Sequence, residues 1–254
     1  MKLDFKKSVV ILLIFLPCLA WSQQLARKTS YGTSYLEHLP YGYDTTKLYP
    51  CIIFLHGSGE RGTGSLTDLS KVTRAGIPKQ IQNGHKMCFT NPVTKAVECF
   101  IVLSPQTNKW GWRYDGVIFA KWALQNYRID PSRMYLTGLS MGGEGTWYSA
   151  CFTDNQPNLW AAIAPVCGRA SYTDGANVAK KKIPVWAFHG SADTAIPVQA
   201  GLNPILGGKS QPGPLSVVTI YENQPHYIWD RVYNTGHTYH NPNVYEWFLT
   251  KRKP

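Results

Sequence analysis

Short apolar runs recur along this chain at the length of buried strands, and stretches with helical spacing lie between several of them. Tyr49 to Leu55 (YPCIIFL) is a continuous apolar run that stops at His56-Gly57. Cys99 to Leu103, Arg133 to Leu139, Trp160 to Val166, Ile183 to Phe188 and Leu215 to Tyr221 read the same way, and Thr33 to Leu39 alternates as an earlier strand. Gly116 to Asn126 carries Val117, Ile118, Ala120, Trp122, Ala123 and Leu124 at helical spacing and is stopped by Asp130-Pro131. Further helices are predicted near Ile77 to Gln82, over Gly142 to Cys151 and over Asn243 to Thr250. Strands that are apolar on both sides need cover on both sheet faces. The pattern therefore predicts an α/β architecture, a mostly parallel central sheet with helices on both faces. No repeat, low-complexity tract or linker interrupts it, so a single domain over residues 23–254 is expected.

A composition of 44% hydrophobic and 16% charged residues over 254 positions is that of a folded globular chain, not a disordered or fibrous one. Lys2, Lys6 and Lys7 precede an apolar run from Val9 to Leu19, and Ala20-Trp21-Ser22 offers small residues at a cleavage site. Residues 1–22 are read as an export signal removed near Ser22, which makes the mature protein secreted or periplasmic. Cys18 suggests a lipid anchor, but Pro17 stands where a small residue would be needed. No other stretch has the roughly 20 apolar residues that span a bilayer, so no stable membrane insertion is expected.

Export permits disulfides. Among Cys51, Cys88, Cys99, Cys151 and Cys167, the expected pair is Cys88 and Cys99, which bracket the polar excursion Phe89 to Glu98. The odd count leaves at least one free thiol or an intermolecular bond. None has metal-ligand spacing, and neither a metal nor a cofactor is expected. The formal charge of +11 becomes +9 without the three lysines and one aspartate of residues 1–22. The basic residues are scattered, apart from Lys180-Lys181-Lys182 and Lys251-Arg252-Lys253. This reads first as solubility charge and second as attraction to anionic surfaces; no nucleic-acid module is visible.

The chemistry concentrates at Gly138-Leu139-Ser140-Met141-Gly142. A G-x-S-x-G pattern is weak alone, but here a buried strand runs straight into Ser140 and a helix leaves straight after it, the context that holds a nucleophilic serine on a sharp turn. The helix that follows points its positive end at that turn. A serine hydroxyl needs a base to take its proton and an acid to orient the base. In folds that present serine this way the acid and then the histidine follow in chain order. Asp193 lies in the loop beyond Ile183 to Phe188 and is the preferred acid, although it would also suit the N-cap of a following helix. Asp174 and Glu222 are poorer placed. Of seven histidines, His38 precedes the nucleophile strand, His85 sits in the cysteine excursion, and His56 and His189 end strands as HG turns. His226, a short loop beyond the last strand, is preferred over His237 and His240, with His237 in reserve. An oxyanion would be met by the Met141 N–H and, from the loop after Leu55, the Ser58 N–H. Trp110, Trp112 and Trp229 lie in loops at the same edge and suggest an aromatic-lined cleft for a phenolic acyl group or a sugar ring.

YPCIIFLHGSGERG, SPQ, YLTGLSMGGEGTW, APVCG, PVWAFHGSADTAIPV and the late H-Y-I-W-D together resemble the α/β-hydrolase esterases similar to feruloyl and acetylxylan esterases. That group is often labelled phospholipase/carboxylesterase or prolyl-oligopeptidase-like. The resemblance runs from about Tyr35 to the last helix. It implies the α/β-hydrolase fold, a Ser140, Asp193, His226 triad, and a Glu60-Arg61-Gly62 segment that holds the oxyanion loop. Gln224-Pro225-His226 departs from the usual glycine-rich approach to the histidine, and Arg231 to Asn241 is longer than usual. The function so implied is ester hydrolysis through an acyl-enzyme, on feruloyl or acetyl groups of polysaccharide-linked substrates. A peptidase, or a polyester or lipid hydrolase, with the same triad is the alternative, and a non-catalytic carbohydrate-binding protein is the reading from another class.

Overall fold

The computed structural model describes residues 24–152, 158–210 and 216–253. The predicted export signal, with Cys18, lies outside the described residues, as does Leu215. In chain order the elements are β1 (Leu25–Lys28), β2 (Ser34–His38), β3 (Tyr49–Leu55), α1 (Leu66–Leu69), α2 (Gly76–Gln82), β4 (Cys88–Thr90), β5 (Val97–Cys99), β6 (Ile101–Pro105), α3 (Asp115–Asn126) and β7 (Ile129–Leu139). There follow α4 (Met141–Cys151), β8 (Ala162–Val166), α5 (Tyr172–Lys180), β9 (Val185–Gly190), α6 (Val198–Lys209), β10 (Ser216–Tyr221), α7 (Trp229–Val232) and α8 (Val244–Leu249).

Eight strands form one sheet in the order β1-β2-β6-β3-β7-β8-β9-β10. β1 and β2 pair antiparallel, β2 pairs antiparallel with β6, and from β6 to β10 every pairing is parallel. Alternation along the strands divides the apolar side chains between two cores. Cys51, Ile53 and Leu55 of β3 join Phe119 of α3, Trp147 of α4, Val178 of α5 and Ile205 of α6 on one face. Ile52 and Phe54 join Ile77 and Ile81 of α2 and Val244, Tyr245 and Phe248 of α8 on the other. This double cover is why the strand sequences are apolar throughout. Among the described residues no helix is long and apolar enough to cross a membrane.

Several predicted boundaries move: β8 starts at Ala162, β9 runs from Val185 through His189 to Gly190, and two further shifts have evident causes. Cys99 to Leu103 is not one strand. Cys99 closes a small hairpin in which β4 and β5 pair with Cys88 opposite Cys99, and these two cysteines form a disulfide, leaving Cys51, Cys151 and Cys167 free and buried. The sheet strand begins at Ile101, because Phe100 turns back to donate its N–H to the Met87 carbonyl at 3.0 Å. β7 starts at Ile129 rather than Arg133; its register against β3 shifts between Tyr49 and Cys51, which absorbs the Asp130-Pro131 kink within a strand.

The passage from β7 to α4 is among the tightest parts of the fold. Ser140 has φ 53° and ψ −116°, and its N–H donates to the Val166 carbonyl of the neighbouring strand at 2.9 Å. α4 then turns back across the sheet so closely that a Cβ at Gly142 would sit 1.9 Å from the Leu55 carbonyl oxygen of β3. Gly142→Ala is therefore expected to lower stability by more than about 3 kcal/mol or to abolish soluble folding. Gly236→Ala, whose Cβ would meet only Asn234 Oδ1 at 3.5 Å, is expected to stay within about 0.5 kcal/mol of wild type. Urea unfolding of the two variants side by side checks both.

Candidate active site

Parallel pairing brings the carboxyl ends of β3, β6, β7, β8, β9 and β10 to one edge, and the residues that follow them meet there. β9 and β10 are in register at their last residues, Gly190 against Tyr221. Three residues beyond Gly190 lies Asp193, and five beyond Tyr221 lies His226. The two loops are stitched by the Ala192 N–H donating to the Gln224 carbonyl at 3.0 Å and the Ser191 N–H to the Tyr221 carbonyl at 3.0 Å. Equal strand ends and two short, cross-bonded loops thus bring an acid and a base face to face.

His226 Nδ1 lies 2.6 Å from Asp193 Oδ2, and His226 Nε2 lies 2.8 Å from Ser140 Oγ. With Nδ1–H donating to the carboxylate, Nε2 presents its lone pair to the serine hydroxyl. Asp193 is fully surrounded. Its Oδ1 accepts the N–H groups of Ala195 at 2.9 Å and Ile196 at 2.8 Å, and His189 Nε2 stands 3.2 Å from Oδ2. The capping expectation is corrected: α6 begins after Pro197, so Asp193 caps no helix, and its Oδ1 instead closes the loop at Ala195 and Ile196 while Oδ2 faces His226.

The loop after β3 is held as firmly. His56 is wholly buried, bonds the Gly57 carbonyl through Nδ1 at 2.7 Å and accepts the Thr107 N–H on Nε2 at 3.1 Å. Burial lowers its pKa from 6.5 to about 4, outweighing the Gly57 hydrogen bond, and the charge of Arg61 acts in the same direction. Ser58 opens a single 3₁₀ turn, Ser58–Glu60, and its carbonyl accepts from Arg61 Nε at 3.0 Å. Gln106 Nε2 donates to the Glu60 carbonyl at 2.8 Å and the Gly62 N–H to the Thr107 carbonyl at 3.2 Å. These bonds tie the Glu60-Arg61-Gly62 segment to Ser58 on one side and to the loop after β6 on the other. Met141, first residue of α4, is buried against the core beside Ser140.

The three tryptophans part company. Trp110 is 76% exposed and carries the Arg61 guanidinium 3.5 Å above its ring centre. Trp229 meets His226 edge to face at 5.6 Å. Trp112 backs a cleft from behind rather than facing it openly: it is 1% exposed, donates its indole N–H to the His56 carbonyl at 3.0 Å, fills the space beside Gly145 of α4, and reaches the lining of a cleft beside Gly62 to Gly64. The aromatic missed in the sequence is Tyr227, 74% exposed and packed on both His226 and Trp229, at 5.8 and 4.8 Å.

The other candidates lie elsewhere. Asp174 forms the capping box of α5 with Ser171, Glu222 accepts from Ser191 Oγ at 3.1 Å, and His237 bonds Glu246 at 2.7 Å. His240 bonds the Tyr221 hydroxyl. Cys167, one of the free thiols, donates from Sγ to the His226 carbonyl at 3.1 Å, and burial pushes the thiol up to about 12. Cys167, Asp193 and His226 bring ligand atoms within 4.8 Å of one another. A cation there would have to break both the Asp193–His226 and Cys167–His226 bonds.

Because His56 is neutral in the fold down to about pH 4, the unfolded chain binds its proton first as pH falls below 6.5. The stability linked to His56 is intact above pH 6.5. It declines by on the order of 3 kcal/mol toward pH 4, and then levels. Urea unfolding between pH 7.5 and 4 is expected to show this decline, with a shallower one in His56→Asn; equal slopes would remove His56 as the cause.

No protein-family model matches the chain. A curated relative, the bifunctional acetylxylan esterase/xylanase of Neocallimastix patriciarum, is 32% identical over 111 residues, 40% of this chain and 16% of the length of that protein. Among solved structures, a thermostable esterase superposes with a TM-score of 0.68 at 24% identity, over 91% of this chain and 63% of that one. The feruloyl esterase module of Clostridium thermocellum complexed with sinapinate gives 0.61 at 17% identity, over 92% and 88%. Dipeptidyl peptidase 4 of Porphyromonas gingivalis gives 0.63 at 16% identity, over 91% and 35%. Taken with the parallel order of its strands and the turn at Ser140, these likenesses identify the chain as an α/β-hydrolase by fold.

Proposed function

We propose that this protein is a serine carboxylic-ester hydrolase in which Ser140 is the nucleophile, His226 the general base and Asp193 the acid that orients it. The observation that carries the reading is the unbroken hydrogen-bonded series from Ser140 Oγ through the His226 ring to the Asp193 carboxylate. Ser140 Oγ attacks the ester carbonyl as His226 Nε2 takes its proton, and the resulting imidazolium is stabilised by Asp193. The Met141 and Ser58 N–H groups receive the oxyanion, helped by the positive end of α4. His226 returns the proton to the leaving alcohol, and water, activated by the same base, releases the acid. Nothing in this sequence of steps calls for a metal or cofactor.

The substrate class proposed is a feruloyl or acetyl ester on a plant cell-wall-type polysaccharide. The feruloyl esterase module and the acetylxylan esterase/xylanase among its likenesses support it, as do Tyr227 and Trp229 packed beside His226, a place for an aromatic acyl group. Export through residues 1–22 would deliver a single catalytic domain to such substrates. Peptide hydrolysis is the second reading, favoured by the likeness to a dipeptidyl peptidase.

The mature protein is expected to turn over a short-chain aryl acetate, methyl ferulate or acetylated xylan well above a peptide amide. Ser140→Ala should lose at least about 1000-fold of that rate while unfolding at the wild-type urea midpoint. The ratio of ferulate to acetate turnover chooses the acyl group. Amide turnover above every ester would install the peptidase reading instead.

A further inference from the structure

A cleft of about 400 Å³ opens beside the oxyanion loop, where three segments meet: the turn between β1 and β2, Gly62 to Gly64, and the loop leaving β6. Tyr31, Thr33, Thr63, Gln106, Asn108 and Asp115 contribute to its lining. Its walls are fixed before any ligand arrives. Gln106 ties two of the segments together, accepting the Gly64 N–H at 3.1 Å on its oxygen and donating to the Glu60 and Asp68 carbonyls at 2.8 and 2.7 Å. Its own N–H donates to the Ser34 carbonyl at 2.9 Å, which adds the third.

The lining selects a ligand by exclusion. Lys109 and Asp115 neutralise each other at 3.1 Å, so a charged ligand meets no unpaired counter-ion from that pair. Hydroxyl, amide and backbone groups line most of the surface, and a fatty chain would strip their water without replacing its hydrogen bonds. Tyr31 is 46% exposed and is braced edge to face on Trp122 at 6.4 Å. Asn108 is exposed, and its amide makes no hydrogen bond among the described residues. A braced aromatic ring beside the unengaged amide of Asn108, in a lining whose other polar side chains are held by bonds within the protein, suits a neutral polyhydroxylated ligand, whose rings present both C–H faces and hydroxyls.

The cleft adjoins the loop that carries Ser58. Thr107, in its lining, donates its N–H to His56, two residues before Ser58. On the same loop, exposed Trp110 holds Arg61, which in turn bonds the Ser58 carbonyl. We propose that this cleft is a saccharide subsite that takes the sugar part of the ester, a neutral oligosaccharide two or three rings long. The proposal rests on the esterase reading for its role in turnover, and on the cleft alone for sugar binding.

The test measures xylotriose binding to Ser140→Ala by calorimetry, with Tyr31→Ala and Asn108→Ala added to that background, and circular dichroism to confirm folding. Saturable binding at millimolar concentration, weakened about 5-fold by each added variant, is expected. In the Ser140 enzyme the same variants should raise KM for acetylated xylo-oligosaccharide by a similar factor and leave aryl acetate hydrolysis unchanged. Aryl acetate turnover with no xylotriose binding, or binding indifferent to both variants, overturns the subsite and leaves the esterase reading standing. Xylotriose binding that the variants weaken, in a protein that turns over no ester, supports the subsite and overturns the esterase reading.

Discussion

Ser140 is held in a backbone conformation that L-residues avoid, at φ 53°, and a strained non-glycine residue of this kind costs on the order of 1–3 kcal/mol. The surrounding fold over-determines it. β7 delivers the chain between β3 and β8, the Val166 carbonyl takes the Ser140 N–H, and α4 leaves at once because Gly142 lets its backbone touch the end of β3. With the backbone so pinned, the hydroxyl is presented at the sheet edge before any substrate arrives. Chemistry that depends on placing a nucleophile within a few tenths of an ångström is served by such pre-organisation. The neighbouring strand also holds a partner, since Cys167, directly after β8, bonds the His226 carbonyl and ties that loop to the sheet edge.

The sheet was readable because burial on both faces leaves an unbroken apolar signature, and the turn at Ser140 was readable because strand, serine and helix are contiguous. What escaped has physical reasons. α5 has a usable signal in its Ser171-x-x-Asp174 capping box, which apolar runs alone do not reveal, and α6, expected only as a helix somewhere after Asp193, contains Pro204 and three glycines that argue against a helix. It forms because tertiary contact requires it: a Cβ at Gly207 would lie 1.8 Å from the Tyr172 carbonyl oxygen, so the glycine is there to let two helices touch. β1 is exposed along its length and has no apolar pattern to announce it. Trp110 and Trp112 are two residues apart in a loop, where spacing says nothing about facing, and the structure sends one to water and one to the core. Tyr227 has a usable signal, an aromatic directly after the proposed base.

One carboxylate, Asp193, serves two histidines, and the environment of each ring decides which is free to act. His189 is buried at 2% exposure; its Nε2 is engaged by the Ile196 carbonyl at 2.8 Å and faces Asp193, while Nδ1 lies against α6 where a Cβ at Gly201 would come within 2.2 Å. Neither nitrogen can reach a reacting atom, so this ring braces the acid loop. His226 presents the opposite arrangement, one nitrogen on Asp193 and the other on Ser140. The distinction follows from strand geometry. His189 is still inside β9, where the sheet and α6 enclose it, whereas His226 comes five residues after β10 ends, on a loop free to project back across the edge. Position relative to a strand end, more than residue type, separates a bracing histidine from one able to move a proton in the proposed reaction.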